Sequence, residues 1–218
     1  MPDYNPYTIK RCNDCDIAKG GSVKLGTFIP DNEVCASCKC IRSCLDTKGF
    51  KLDKVYGNRL KISEQADPTE VEENIRAART LLKAFPDMNI QIRKHVFEEG
   101  VKNPEYLIND ALGDRKGIES ENGIANGFNK AIKQGCSVVV IDLDMHPEKF
   151  PYLRVNKLAQ GINNRHMDFK KGVIEECYVI YDDKTIRVGK EFFSDDVRRT
   201  KEQIRLELEK IKGDRSHP

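Results

Sequence analysis

The 218-residue chain predicts a layered α/β or α+β fold, with a mixed sheet flanked by helices, behind a small N-terminal module. Three observations predict it. An apolar stripe recurs at steps of four and three through 71–85, and short alternating segments follow it. A nearly continuous β-branched run then stands at Ser137-Val138-Val139-Val140-Ile141-Asp142-Leu143, as expected for a strand buried on both faces.

The first 48 residues are of another kind. Their apolar residues are few, and Gly20-Gly21, Pro30 and Asp31-Asn32 punctuate them as turns. A segment so short and so poor in core residues needs a staple to fold. Six of the eight cysteines fall between Cys12 and Cys44. Cys12-x2-Cys15 and Cys35-x2-Cys38 are two knuckles 19 residues apart, and four thiolates presented in pairs suit a tetrahedral structural Zn²⁺. Metal binding would then be coupled to folding. Cys40 or Cys44 could replace Cys38, remain spare, or serve a second site. A disulfide framework would use the same residues but needs an oxidising compartment, for which the chain offers no signal; an iron–sulfur cluster is the third option.

The elements follow in order from Phe50. Asp67 can cap a helix, Pro68 suits its first position and Glu70 can complete a capping box. Val71, Ile75, Ala78, Leu82 and Phe85 form the stripe, and Pro86-Asp87 ends it. Residues 89–95 read as a strand with Ile90 and Ile92 on one face. Residues 104–108 and 111–118 read as two more, joined by a tight turn at Asn109-Asp110, whose expected glycine is displaced to Gly113. A helix over 124–133 places Phe128 and Ile132 four apart and closes at Gln134-Gly135. After the buried strand at 137–143 comes a helix near 152–162. Strands at 177–181 and 185–188 flank the turn Asp182-Asp183-Lys184. A charged helix over 195–212 carries Ile204, Leu206, Leu208 and Ile211. The expected division is 1–48, 49–194 and 195–218, with no internal repeat.

Charge excludes little. A net charge of +2 sets up no global field for nucleic acid, but a few lysines and a bound cation can attract phosphate locally. Lys170-Lys171 and Arg198-Arg199-Thr200-Lys201 read as solvated surface. No apolar run approaches the ~18 residues of a membrane span, and Met1-Pro2-Asp3-Tyr4-Asn5 lacks the layout of a secretory signal. No membrane partner is expected, and the expected location is the cytoplasm.

The second chemical cluster lies on the expected hairpin. Asp114 and Lys116 alternate on one strand and so share a face, and the turn at Asn109-Asp110 can bring Glu105 to the same end of that face. Two carboxylates a few ångströms apart repel unless a hard cation such as Mg²⁺ or Mn²⁺ lies between them. Such a cation would polarise a phosphate and acidify water, while Lys116 positions that water or steadies developing charge.

Pro104-Glu105, eight residues, then Asp114-Arg115-Lys116 resembles the PD-(D/E)xK nuclease signature, with glutamate replacing the usual aspartate. The order of helix, three strands, helix and strand resembles that family's core over roughly 56–144. Lys102-Asn103-Pro104-Glu105-Tyr106-Leu107-Ile108-Asn109 is similar to nuclease toxin domains of contact-dependent growth inhibition proteins and of phage and mobile-element proteins. The resemblance implies a metal-dependent nuclease acting on DNA or RNA, tRNA included. Its implied metal ligands are Glu105 and Asp114, and its catalytic lysine is Lys116. It adds Glu73 on the first helix as a carboxylate that can reach the metal, and Gln134 with Lys130 on the polar face of the second. An immunity protein or a phage structural protein is the implied partner.

Two other readings compete. A metal-independent ribonuclease would need histidines converging with a lysine, from His95, His146, His166 and His217. His146 could instead join Asp142 and Asp144 in a separate metal site. A zinc-containing binding or assembly module with an inert core is the non-enzymatic alternative.

Overall fold

The computed structural model describes residues 49–97 and 100–213. The expected zinc ligands Cys12, Cys15, Cys35 and Cys38 lie outside the described residues, as does His217.

The described chain is a mixed α+β structure built on one eight-stranded sheet, and each strand lies beside its predecessor in sequence. β1 (Phe50–Asp53) and β2 (Gly57–Ser63) form an antiparallel hairpin. Helix α1 (Val71–Ala84) crosses from β2 to β3 (Ile90–Ile92), which pairs with it in parallel. β4 (Tyr106–Ile108) and β5 (Ala111–Gly117) continue antiparallel. Helix α2 (Gly123–Lys133) leads to β6 (Val138–Asp142), parallel to β5. Helices α3 (Val155–Asn163) and α4 (His166–Lys170) precede β7 (Glu176–Tyr181), parallel to β6, and β8 (Lys184–Gly189) closes the sheet antiparallel. Helix α5 (Val197–Glu209) ends the described chain, capped by the Asp196 carboxylate, which accepts from the amides of Arg198 and Arg199.

Two cores sandwich the sheet. Ala77, Ala78, Leu81 and Leu82 of α1 pack on Leu60, Ile90, Ile92, Tyr106, Val138 and Val140. On the opposite face α2, α3, α4 and α5 cover Val139, Ile141, Cys177 and Val179, with Ile204, Leu208 and Ile211 of α5 inside that core. β6 alternates between the two cores, so its β-branched run looks continuous in sequence. Each fully buried leucine or isoleucine contributes roughly 1.5–3 kcal/mol.

Several local expectations shift for identifiable reasons. The helix expected from Pro68 starts at Val71, because Asp67 caps a preceding turn: its Oδ1 accepts from the Thr69 amide at 2.9 Å and its carbonyl from the Val71 amide at 2.9 Å. The strand expected over 89–95 is Ile90–Ile92, since Arg93 turns to bond the chain before β4. At the hairpin turn Asn109 and Asp110 both adopt positive φ, 44° and 65°, as a two-residue turn of type I′ requires. Asp182 and Asp183 repeat this at the β7–β8 turn, with φ 54° and 53°. The β1–β2 hairpin and α4 were not foreseen. β2 holds α1 in place through Arg59, whose guanidinium caps the helix C-terminus by donating to the carbonyls of Leu82, Phe85 and Met88.

No described helix is long and apolar enough to cross a membrane.

Candidate active site

The site forms where β4 and β5 pair. Tyr106 faces Gly113 across the ladder, so Glu105, one residue before β4, comes level with Asp114. Arg93 comes level from β3, its amide donating to the Glu105 carbonyl at 2.9 Å. Strand alternation places Asp114 and Lys116 on one face, and Lys116 Nζ lies 2.7 Å from Asp114 Oδ2. The Glu105 Oε2 atom accepts from the Arg115 amide at 3.1 Å. The structure thus brings Glu105, Asp114 and Lys116 together.

Their surroundings are largely apolar but open at one side, with Glu105 keeping 16% and Lys116 19% of its side chain exposed. Asp114 is 1% exposed, and its Oδ2 is paired with the Lys116 ammonium. Burial, followed by the charge of Asp114, pushes the Glu105 carboxyl up to about 8. Burial also raises the Asp114 carboxyl, against the opposing pull of Lys116. Burial alone would lower the Lys116 ammonium, but the charges of Asp114 and Glu105 outweigh it and hold the group above its ordinary value. Two neighbouring carboxyls that resist ionising together are a donor set that a hard cation would satisfy. Among the described residues, however, no group of three His, Cys, Asp or Glu side chains is placed to hold a metal ion.

A buried network fixes the other side of the strand. Arg115, 4% exposed, sends Nε to Asn74 Oδ1 at 2.7 Å and Nη1 to Asp142 Oδ2 at 3.4 Å. Tyr106 donates its hydroxyl to the Asn74 carbonyl at 2.9 Å, which ties β4 to α1. Arg76 also bonds Asp142, and burial works against its charge while Asp142 and Glu73 hold its guanidinium above the usual range.

Glu73 is not brought to the carboxyl pair. It is about half exposed and bonds Arg76 at 2.9 Å, one helical turn away. Glu70, at the N-cap of α1, is the helix carboxylate whose charge bears on both Glu105 and Asp114. Sequence reasoning had assigned Glu70 to a capping box, and its place one turn before Glu73 was the signal available. Gln134 reaches the site through the backbone: its Oε1 accepts from the Asn103 amide at 2.9 Å, while the Asn103 side chain bridges to both the amide and the carbonyl of Val96. Arg93 was overlooked. Its Nη1 donates to the Pro104 carbonyl at 3.1 Å, so Arg93 grips both peptide carbonyls of the Pro104-Glu105 pair.

The other constellations do not assemble. His95 neighbours Asp67 at 3.5 Å, His146 neighbours Glu148 at 4.0 Å, and His166 Nε2 meets the Ser194 carbonyl at 2.6 Å, so the described histidines have separate surroundings. Asp142 is committed to arginines, and Asp144 accepts from the amides of Asp182 and Asp183 at the β7–β8 turn. The separate metal site at Asp142, Asp144 and His146 therefore does not form.

No family model matches the chain, and no curated protein does. Among solved structures the chain is similar to the CdiA-CT/CdiI toxin and immunity complex from Burkholderia pseudomallei. That likeness has 18% identity and a TM-score of 0.37 over 58% of this chain and 91% of the other. So distant a likeness carries no argument about fold or role.

Proposed function

We propose that the chain is a divalent-metal-dependent nuclease of PD-(D/E)xK type, with Glu105 and Asp114 as ligands of Mg²⁺ or Mn²⁺ and Lys116 as the catalytic lysine. The observation that carries this reading is the convergence of one buried and one largely buried carboxyl, both resistant to ionisation, and one ammonium at the β4–β5 pairing. When bound, the cation supplies Lewis-acid polarisation of the scissile phosphate and acidifies the attacking water. Asp114, held rigid in the sheet, fixes one ligand oxygen. Arg93 and the Arg115 amide fix Glu105 as the other. Lys116 would orient the attacking water or meet the charge developing on phosphate. Gln134 positions the chain into Pro104 through Asn103, and Glu70 adds negative charge at the rim, which strengthens cation binding.

In the same reading the four N-terminal thiolates of Cys12, Cys15, Cys35 and Cys38 hold a structural Zn²⁺. The protein acts on DNA or RNA, tRNA included, as a toxin-like or phage- and mobile-element-associated enzyme. An immunity protein or a phage structural protein is the partner that fits such a role.

The test is cleavage of labelled plasmid DNA and total tRNA with and without Mg²⁺ or Mn²⁺, beside Asp114→Ala and Lys116→Ala. Metal-dependent cleavage, lost in both variants while folding is intact, is the expected result. No cleavage of either substrate by folded protein would leave the inert binding-module reading instead.

A further inference from the structure

Arg93 carries a donor that the fold leaves unused. The residue is 3% exposed, yet its Nη2 has no hydrogen-bond partner, and among the described residues no carboxylate forms an ion pair with it. Buried cations are normally paired, because taking an uncompensated charge out of water is costly. Arg115, similarly buried, shows the ordinary arrangement, with Asn74 and Asp142 as its partners. Arg93 instead gives its backbone amide to the Glu105 carbonyl at 2.9 Å and its Nη1 to the Pro104 carbonyl at 3.1 Å. Neither acceptor is an anion.

The sheet register sets Arg93 beside the carboxyl pair. Arg93 stands opposite Glu105, and Glu105 stands opposite Asp114, on three neighbouring strand paths. At ordinary strand spacing the Cα atoms of Arg93 and Asp114 are therefore about 10 Å apart. Ile92, Tyr106 and Arg115 turn toward α1, so strand alternation sends Arg93, Glu105, Asp114 and Lys116 to the other face. One buried thiol registers all four. Burial raises Cys136 well above its ordinary range, and the charges of Asp114, Arg93, Lys116 and Glu105 all bear on it. A pair of carboxylates by itself repels a phosphate, and a guanidinium on the same face offsets that repulsion. Its planar fork matches phosphate oxygens in charge-assisted hydrogen bonds.

We infer that Arg93 contacts the substrate, its free Nη2 donating to a non-bridging oxygen of the phosphate that lies against Glu105 and Asp114, while Nη1 keeps hold of the Pro104 carbonyl. This rests on the nuclease reading above. The contact is with the phosphodiester backbone, so it serves affinity and orientation and reads no base.

The test uses an Asp114→Ala background, which prevents turnover. Labelled single-stranded DNA, single-stranded RNA and a blunt DNA duplex are titrated by anisotropy between about 50 and 200 mM salt. Arg93→Gln should weaken binding of the preferred strand about 10- to 150-fold. It should also make the dependence of log affinity on log salt shallower by about 0.7 for a single strand or about 0.9 for a duplex, as loss of one phosphate contact demands. Arg93→Lys, which keeps the charge, should restore the slope. Weaker binding with an unchanged slope would mark Arg93 as merely structural and overturn the contact, as would unchanged affinity. Isotope-labelled arginine asks the same question without a substitution at Arg93, should Arg93→Gln fail to fold. The Arg93 guanidinium NMR signal should shift when the preferred strand is added, and that of Arg115 should not. An unmoved Arg93 signal overturns the contact and leaves the nuclease reading, which cleavage tests separately, intact. Absence of both binding and cleavage overturns the two together.

Discussion

Glu105 makes the stability of the protein depend on pH in an unusual direction. An ionised carboxylate normally gains partners on folding, and its acidity rises. Glu105 instead enters a largely buried site beside Asp114, and its carboxyl moves from 4.5 up to about 8. Between those values the folded chain holds a proton that the unfolded chain has released. The contribution of Glu105 to stability therefore falls as pH rises across this window, being fully present below about 4.5 and lost above about 8. At about 1.36 kcal/mol for each pH unit, the ceiling is about 5 kcal/mol. In a domain of this size that is about 10–20 °C in melting temperature. Asp114 works in the same direction, since its carboxyl is also raised, and the lowered carboxyls of Asp53, Asp67 and Asp183 act only below about pH 4. Urea unfolding from pH 5 to 9 in metal-free buffer measures the profile for wild type and for Glu105→Gln. Glu105→Gln is expected to flatten it. Added Mg²⁺ should restore stability at pH 8 and do little at pH 5, because the cation must displace the proton. Parallel profiles for the two proteins would refute the reasoning.

Other consequences are open to direct measurement. Arg115→Leu strips Asn74 of a donor and leaves Arg76 as the charged partner of Asp142, and should cost about 3 kcal/mol by urea unfolding; a loss below about 1 kcal/mol would show that the network relaxes freely. Glu70→Gln should lower the pH midpoint of the Glu105 transition and weaken Mg²⁺ binding, whereas Glu73→Gln should leave both unchanged; equal effects would contradict the assignment to Glu70. Gly161→Ala would place a Cβ 2.6 Å from Ile124 Cδ1 and 3.3 Å from its Cβ, between α3 and α2, and should cost about 1–3 kcal/mol of stability without altering metal affinity.

What could be read from the sequence was what a local pattern encodes. The stripe through Ala78 and Leu82, the alternation of Asp114 and Lys116, and the Asn109-Asp110 and Asp182-Asp183 turns each follow from spacing over a few residues. Less legible was whatever depends on a neighbour distant in sequence. β2 mixes Arg59 and Lys61 with Leu60 and Ile62, and it declares itself only when Arg59 meets the end of α1, more than 20 residues away. Glu70 and Glu73 are equally plausible from helical spacing, and the Arg76–Asp142 pair, 66 residues apart, decides between them. Arg93 looked like ordinary strand polarity until the β4 connection folded against it.

The unbroken sequential order of the strands has a kinetic consequence. Each strand finds its partner in the one just completed, so no segment has to wait for a distant stretch of chain before it can pair. Loop closure is paid in short instalments, which favours rapid folding for so large a sheet. A chain emerging from a ribosome could zip the sheet from β1 onward, each exposed edge being covered by the next strand to appear. The carboxyls of Glu105 and Asp114 would be confined together only when β5 docks on β4, and the inner face of β6 would seal them in thereafter.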